Sequence, residues 1–166
     1  MNQAEQLIKA LNLAPHPEGG YYKETHRSEG LITESSLPDF EGDRNYSTCI
    51  YFLLTSDQIS AFHKIKQDEI WHFYQGSPIV LHTISEDGDH KEYLIGSDII
   101  NGQTPQLIVP NNHWFAAKLF NPDDYALVGC TVSPGFDFRD FILPSRQELL
   151  YKFPQHKELV VEFTKD

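Results

Sequence analysis

Ala61-Phe62-His63-Lys64-Ile65-Lys66-Gln67-Asp68-Glu69-Ile70-Trp71-His72-Phe73-Tyr74-Gln75-Gly76 is the stretch that decides the fold. Ala61-Phe62-His63 ends one strand, and Lys64 to Asp68 is a polar connection around the single apolar Ile65. Glu69 to Tyr74 forms a second strand, closed by Gly76. Side chains alternate along a strand, so Glu69, Trp71 and Phe73 are predicted on one face and Ile70, His72 and Tyr74 on the other. A carboxylate that shares a face with two aromatic rings suits the wall of a half-buried pocket better than open water.

Outward from that stretch, short apolar runs alternate with turn residues. The runs are Thr48–Leu54, Ile59–His63, Glu69–Tyr74, Ile79–Ser85, Lys91–Ile95, Gln106–Val109, Trp114–Leu119 and Tyr125–Val132. Asp87-Gly88 is a strong hairpin signal and Asn101-Gly102 a second turn signal. Strands this short and regular indicate an antiparallel sandwich or barrel. Before them, Asn2 and Glu5 have capping-box spacing and Leu7, Ile8 and Leu11 form one apolar face, which predicts a helix from Asn2 to Leu11. His16-Pro17-Glu18-Gly19-Gly20 breaks it, and Gly20 to His26 reads as a strand with Tyr21, Lys23 and Thr25 on one face. Ser28 to Asn45 is the longest loop-like stretch, and loops of that length often cover a site or meet a partner. At the far end, Ser145-Arg146-Gln147-Glu148 repeats the capping-box pattern and Pro154 stops that helix. His156 to Thr164 fits either a strand or a helix.

Composition narrows the class. The 166 residues suit a single domain, 1–166, and 13% aromatic content suits pleated, half-buried surfaces. The formal net charge is -11 and Lys and Arg form no run, which disfavours polymeric nucleic acid or an anionic membrane as partner. Cys49 and Cys130 each lie in an apolar strand-like run and read as free buried thiols of a reducing compartment. The N-terminal residues lack a basic leader pattern and no apolar run has the length of a membrane span, so a cytoplasmic location is expected.

With those residues in place, a resemblance emerges. His63 followed by Glu69 and then Gly76 resembles the first motif of the cupin superfamily, and Gly102 to Pro110-Asn111-Asn112-His113-Trp114-Phe115 resembles the second. His16-Pro17-Glu18-Gly19-Gly20-Tyr21-Tyr22, Asp68-Glu69-Ile70-Trp71-His72-Phe73-Tyr74 and Ser133-Pro134-Gly135-Phe136-Asp137-Phe138 resemble the signature stretches of the cupin-5 family, a domain of unknown function. The resemblance implies an all-β fold, a double-stranded β-helix or jelly-roll barrel with short N- and C-terminal helices. It also implies a small-molecule pocket inside the barrel and a homodimer.

The chain departs from the metal-binding pattern of that superfamily, which takes three histidines and one glutamate. Ile65 stands at the second histidine position and Phe115 at the position in the second motif, which leaves His63 and Glu69. Two ligands fall short of a catalytic transition-metal site, so no cofactor is expected, and a divalent transition metal would need His72 or His113 to complete it. The metal-free reading makes His63 and Glu69 a catalytic proton-transfer pair, as in a sugar-nucleotide-type epimerase or isomerase. Tyr21, Tyr51, Tyr74 or Lys23 would then serve as acid or enolate stabiliser. Trp71, Phe73, Trp114 and Phe115 are expected as core or pocket lining. Arg139, flanked by Asp137 and Asp140, suits a structural ion pair or a phosphate contact, with Arg27 and Arg44 as the other arginine candidates. Two further readings stand beside these: His63 and Glu69 satisfying each other as buried polar groups, and a binding module without turnover.

Overall fold

The computed structural model describes residues 1–165. Helix α1 (Gln3–Leu11) opens the chain, and its capping box is complete: Asn2 accepts from the Glu5 N–H at 2.8 Å and Glu5 accepts from the Asn2 N–H at 2.9 Å. The strands follow as β1 (Ala14–Pro15), β2 (Tyr21–Arg27), β3 (Leu31–Ile32), β4 (Arg44–Asn45), β5 (Thr48–Thr55), β6 (Ser60–His63), β7 (Asp68–Gly76) and β8 (Ile79–Ile84). Then come β9 (His90–Ile95), β10 (Gln106–Val109), β11 (Trp114–Leu119) and β12 (Tyr125–Ser133), before α2 (Arg146–Lys152) and α3 (Lys157–Glu162). Every predicted strand run falls on an observed strand. The undecided segment after His156 is helical, with Val160 and Phe163 turned into the core.

Two antiparallel sheets face each other. One has six strands in the order β1-β2-β5-β12-β7-β10, and the other has four in the order β6-β11-β8-β9. Phe52, Leu54, Trp71, Leu81, Phe115, Val128 and Cys130 interdigitate between them. The two outer faces are covered differently. Leu149, Phe153, Val160 and Phe163 from α2 and α3 seal the four-stranded sheet over Phe62, Trp114 and Ala116. Helix α1 seals part of the six-stranded sheet over Leu53, Tyr125 and Leu127. Each side chain so buried is worth on the order of 2 kcal/mol. Among the described residues, no helix is long and apolar enough to cross a membrane.

Inward and outward positions on the six-stranded sheet set up everything that follows. Ile50 pairs with Cys130 and Cys130 with Trp71, while Thr48 pairs with Val132 and Val132 with Glu69. Those rows face the barrel interior. Cys49, Tyr51 and Thr131 belong to the alternate rows, so Cys49 and Cys130 look to opposite sides of the sheet, and both are free thiols. Cys49 is half-buried rather than fully buried.

The long Ser28 to Asn45 stretch carries β3 and β4 but contributes no side chain to the barrel's cavity. It braces a wall of that cavity from behind. Arg44, 2% exposed, donates from Nε and Nη2 to both oxygens of Asp140 at 2.8 Å each. Asp140 also accepts from Gln67 Nε2 at 2.9 Å. Arg44 thereby fixes the segment from Gly135 to Phe141, whose aromatic rings reach the cavity.

Candidate functional site

The barrel encloses a cavity of about 620 Å³ that opens beside β1 and β2. That volume is ordinary for a small-molecule site. Tyr22, Phe52, Trp71, Phe136, Phe138 and Phe141 give it an aromatic lining, and its polar wall combines His16, Glu18, His63 and Glu69.

The polar wall is built by the His16-Pro17-Glu18-Gly19-Gly20 turn docking onto β6. The Gly19 N–H donates to the His16 carbonyl at 3.0 Å, and the His16 N–H donates to the Gly20 carbonyl at 2.9 Å. Gly19 has φ +114°, and a Cβ there would lie 1.9 Å from the Ile59 carbonyl oxygen, so only glycine allows so close an approach. The Ala61 N–H donates to the Glu18 carbonyl at 2.8 Å, which locks the turn to the strand. Glu18 then meets two side chains of β6. Ser60 Oγ donates to its Oε1 at 2.9 Å, and His63 Nε2 lies 2.8 Å from its Oε2.

This geometry fixes the state of His63. The Ala61 carbonyl can only accept, so the 2.7 Å contact with Nδ1 requires a proton on that nitrogen. The proton shared with Glu18 occupies Nε2. Burial works against charge on His63, but the Glu18 carboxylate outweighs it through its charge and hydrogen bond, with help from Glu69, and holds the imidazole's pKa above its ordinary value. Glu18 answers in kind: burial alone would raise its pKa, and His63 and His16 bring it below the usual carboxylate value. The pair is a buried imidazolium–carboxylate, and both ring nitrogens of His63 donate to the protein. His63 therefore has no free lone pair to take a proton from a ligand, contrary to the role expected from sequence.

Glu69 is the opposite case. No N–H or O–H group among the described residues donates to its carboxyl, which sits beside the Cys130 thiol at the cavity wall. Burial raises its pKa from 4.5 to about 7; Glu18 adds to the rise, and the charge of His63 and the Cys130 thiol oppose it. A carboxyl of that kind changes its protonation near neutrality.

The other residues singled out from sequence scatter. Trp71 lines the cavity, whereas Lys23 borders it on β2 but pairs with Tyr51 and so belongs to the outward row. Tyr21 and Tyr51 pack on the outer face of the six-stranded sheet with α1. Tyr74 meets Tyr51 there at 6.2 Å between ring centroids. Phe73 lies against the inter-sheet core outside the lining, and Trp114 sits under the C-terminal helices with Lys64 Nζ 4.5 Å from its ring. Phe115 backs His63 at 4.0 Å between ring centroids. Arg139 forms an exposed ion pair with Asp137 at 2.9 Å and does not line the cavity, although Asp137 does. Arg27 lines it, but its Nε and Nη2 donate to both oxygens of Glu24 and its Nη1 to Asn45.

The residues present do not fit a metal centre of the kind the fold superfamily uses. Ile65 occupies one ligand position on the cavity wall, and Phe115 fills another. Both His63 nitrogens are spent. His72 bonds Thr131 Oγ1 at 2.9 Å on the outer face, and His113 Nδ1 contacts the Asn111 carbonyl at 3.0 Å in an exposed turn. No group of three or more His, Cys, Asp or Glu side chains among the described residues converges on a metal geometry.

A barrel of two antiparallel sheets with a ligand-sized interior is the cupin architecture, and comparison with known proteins bears it out. The model of the cupin superfamily (DUF985) family matches residues 5–144, and the chain belongs to that family. It is 36% identical over 146 residues to the uncharacterised protein YML079W of Saccharomyces cerevisiae, a match covering 82% of this chain and 72% of that protein. Among solved structures, protein SO0799 from Shewanella oneidensis superposes with TM-score 0.89 at 38% identity, covering 99% of both chains. A hypothetical protein from Leishmania major superposes with TM-score 0.91 at 34% identity, covering 99% of this chain and 100% of that one.

Proposed function

We propose that the cavity binds a small carbonyl compound and that Glu69 moves a proton on it, as in a metal-independent sugar-nucleotide-type epimerase or isomerase. The observation that carries this reading is the Glu69 carboxyl at the cavity wall with a pKa of about 7. A base or acid works best when its pKa lies near the working pH, and such a group contributes roughly 10²- to 10⁴-fold to a rate. His63 supports it as a fixed positive charge that keeps the ionised form of Glu69 within reach. The charges around the cavity otherwise cancel: Glu18 with His63, Glu24 with Arg27 and Asp137 with Arg139. The aromatic lining receives a flat ring.

The test is solvent exchange. The protein is incubated in deuterated water with a panel of nucleotide-linked keto-sugars and aryl 2-oxo acids, and each compound is weighed by mass spectrometry. Deuterium at the carbon next to the carbonyl, lost in Glu69→Gln while binding persists, is the expected result. Exchange at the wild-type rate in Glu69→Gln would remove Glu69 from the chemistry. A compound that binds the wild type and never exchanges would assign the cavity to binding without turnover.

A further inference from the structure

We propose that His16 is the hydrogen-bond donor that receives the ligand's carbonyl oxygen, as a neutral imidazole whose Nε2–H holds that oxygen while negative charge develops on it. The inference rests on the reading of Glu69 as the proton carrier. It starts from a contact that fixes the tautomer. The backbone N–H of Glu18 lies 3.2 Å from His16 Nδ1, whereas Glu18 Oε2 stands 3.6 Å from the same nitrogen, too far for a hydrogen bond. A backbone N–H can only donate, so Nδ1 bears a lone pair, and the ring's one proton is on Nε2. Nε2 has no partner among the described residues, and His16 lines the cavity. Its side chain is 7% exposed, so this donor must be met by a ligand or by water in the cavity.

The ring cannot turn away. Tyr22 packs edge-on at 4.6 Å, with Phe141 at 6.0 Å, Phe52 at 6.1 Å and Phe138 at 6.4 Å between centroids. This apolar surround also keeps the imidazole uncharged: burial pulls its pKa down, the neighbouring Glu18 carboxylate pulls it up, and His63 and Lys165 add to the lowering. The charged donors of the lining are spoken for, while the buried Trp71 Nε1–H also lacks a partner among the described residues. His63 gives both nitrogens to the protein, and Arg27 gives its Nε and Nη2 to Glu24. The step balances with these residues alone. The Glu69 carboxylate removes a proton from the carbon beside the carbonyl, and the C–H electron pair moves into the new C=C bond. The carbonyl π pair goes to oxygen, where His16 Nε2–H donates a hydrogen bond. Return of a proton from Glu69 to that carbon collapses the enolate to the carbonyl compound with a solvent hydrogen in place, and the epimer forms when the enolate has turned its other face to Glu69 before the proton returns.

The first measurement is a long-range ¹H–¹⁵N spectrum of the wild-type protein, titrated with benzohydroxamate, a planar mimic of an aryl enolate. Between about pH 6 and 8, His16 is expected as the neutral Nε2–H tautomer. On addition of benzohydroxamate its Nε2–H resonance should move and become protected from exchange. His16→Phe should weaken benzohydroxamate by about tenfold or more, and His16→Gln, whose amide can accept from Glu18 and donate to the ligand, should recover part of that loss. An Nδ1–H tautomer or a charged ring in the free protein would overturn the proposal, and so would hydroxamate binding that leaves His16 unmoved or that His16→Phe retains. Failure of benzohydroxamate to bind the wild type would sink the enolate reading of the cavity as well, which separates that failure from one confined to His16. Because the spectrum is taken on the wild-type protein, the proposal stays exposed to refutation even if His16→Phe does not fold.

Discussion

Glu69→Gln should make this protein more stable at neutral and alkaline pH. The folded state holds the Glu69 proton up to about 7, against 4.5 for the ordinary carboxyl. Between those values the native state binds more protons than the unfolded chain, so stability falls as pH rises through that window. Above about 7 the full difference applies. The gap from 4.5 to about 7, at about 1.4 kcal/mol per pH unit, is roughly 3 kcal/mol. Glutamine has nearly the same shape and never ionises, so it escapes that cost. For a chain of this length the gain corresponds to about 6–12 °C in Tm.

The assay is thermal unfolding of wild type and Glu69→Gln by circular dichroism, from about pH 5 to about pH 8.5. The variants should unfold at similar temperatures at the acid end, separate through neutrality and hold a constant gap above it. His63 loses the support of Glu69 in the variant, so the gap is constant only while His63 stays protonated in both proteins. A gap that does not change with pH, or a variant less stable than wild type at alkaline pH, would refute the reasoning. Either would mean that the positive charge of His63 outweighs burial and that Glu69 is an ordinary ionised carboxylate.

Other expectations follow from the same structure. Under the proposed role of Glu69 as base, deuterium incorporation into a turned-over carbonyl compound should rise with pH to a plateau with a midpoint near 7, and a rate independent of pH there would contradict the proposal. Glu18→Gln should cost about 3–5 kcal/mol in urea unfolding by leaving His63 without its counter-charge. His63 should then titrate below its ordinary value, and the stability its raised pKa contributes, full below 6.5 and lost as pH rises, should disappear. Arg44→Met should cost a similar roughly 3–5 kcal/mol and speed hydrogen exchange from Gly135 to Phe141, whereas Arg44→Met with Asp140→Leu should recover most of it by removing both buried charges.

The fold was legible because its signals are local. The apolar runs Thr48–Leu54 and Tyr125–Val132, the Asp87-Gly88 turn and the two capping boxes each act over a few residues, and the structure has them where the pattern puts them. Glu69 and Trp71 share the inward face for the same reason. The rest of the site depends on which face of each strand turns inward, and alternation leaves that choice open. On β2 the inward row is Tyr22 and Glu24, and on β5 it is Ile50 and Phe52, so Tyr21 and Tyr51 turn outward. Arg27 reaches the cavity because the β2–β5 register slips between Glu24 and His26, an irregularity no alternation rule anticipates. The His16-Pro17-Glu18-Gly19-Gly20 run did carry a signal, two glycines beside a histidine and a glutamate. Its partner, however, is β6, which lies some forty residues further along the chain.

That long-range contact decides what His63 can do. In the sequence, His63 stands at a family ligand position and invites a ligand's role. In the structure Glu18, delivered by a turn outside either cupin motif, takes Nε2, and the Ala61 carbonyl takes Nδ1. Ile65 and Phe115, both buried, put apolar side chains where the superfamily pattern has histidines. Burial, with the Glu18 carboxylate beside it, raises the pKa of the Glu69 carboxyl toward neutrality. With His63 committed to Glu18 and Ala61, Glu69 is the carboxyl left on this wall without an N–H or O–H donor among the described residues, and the proposed proton transfer falls to it.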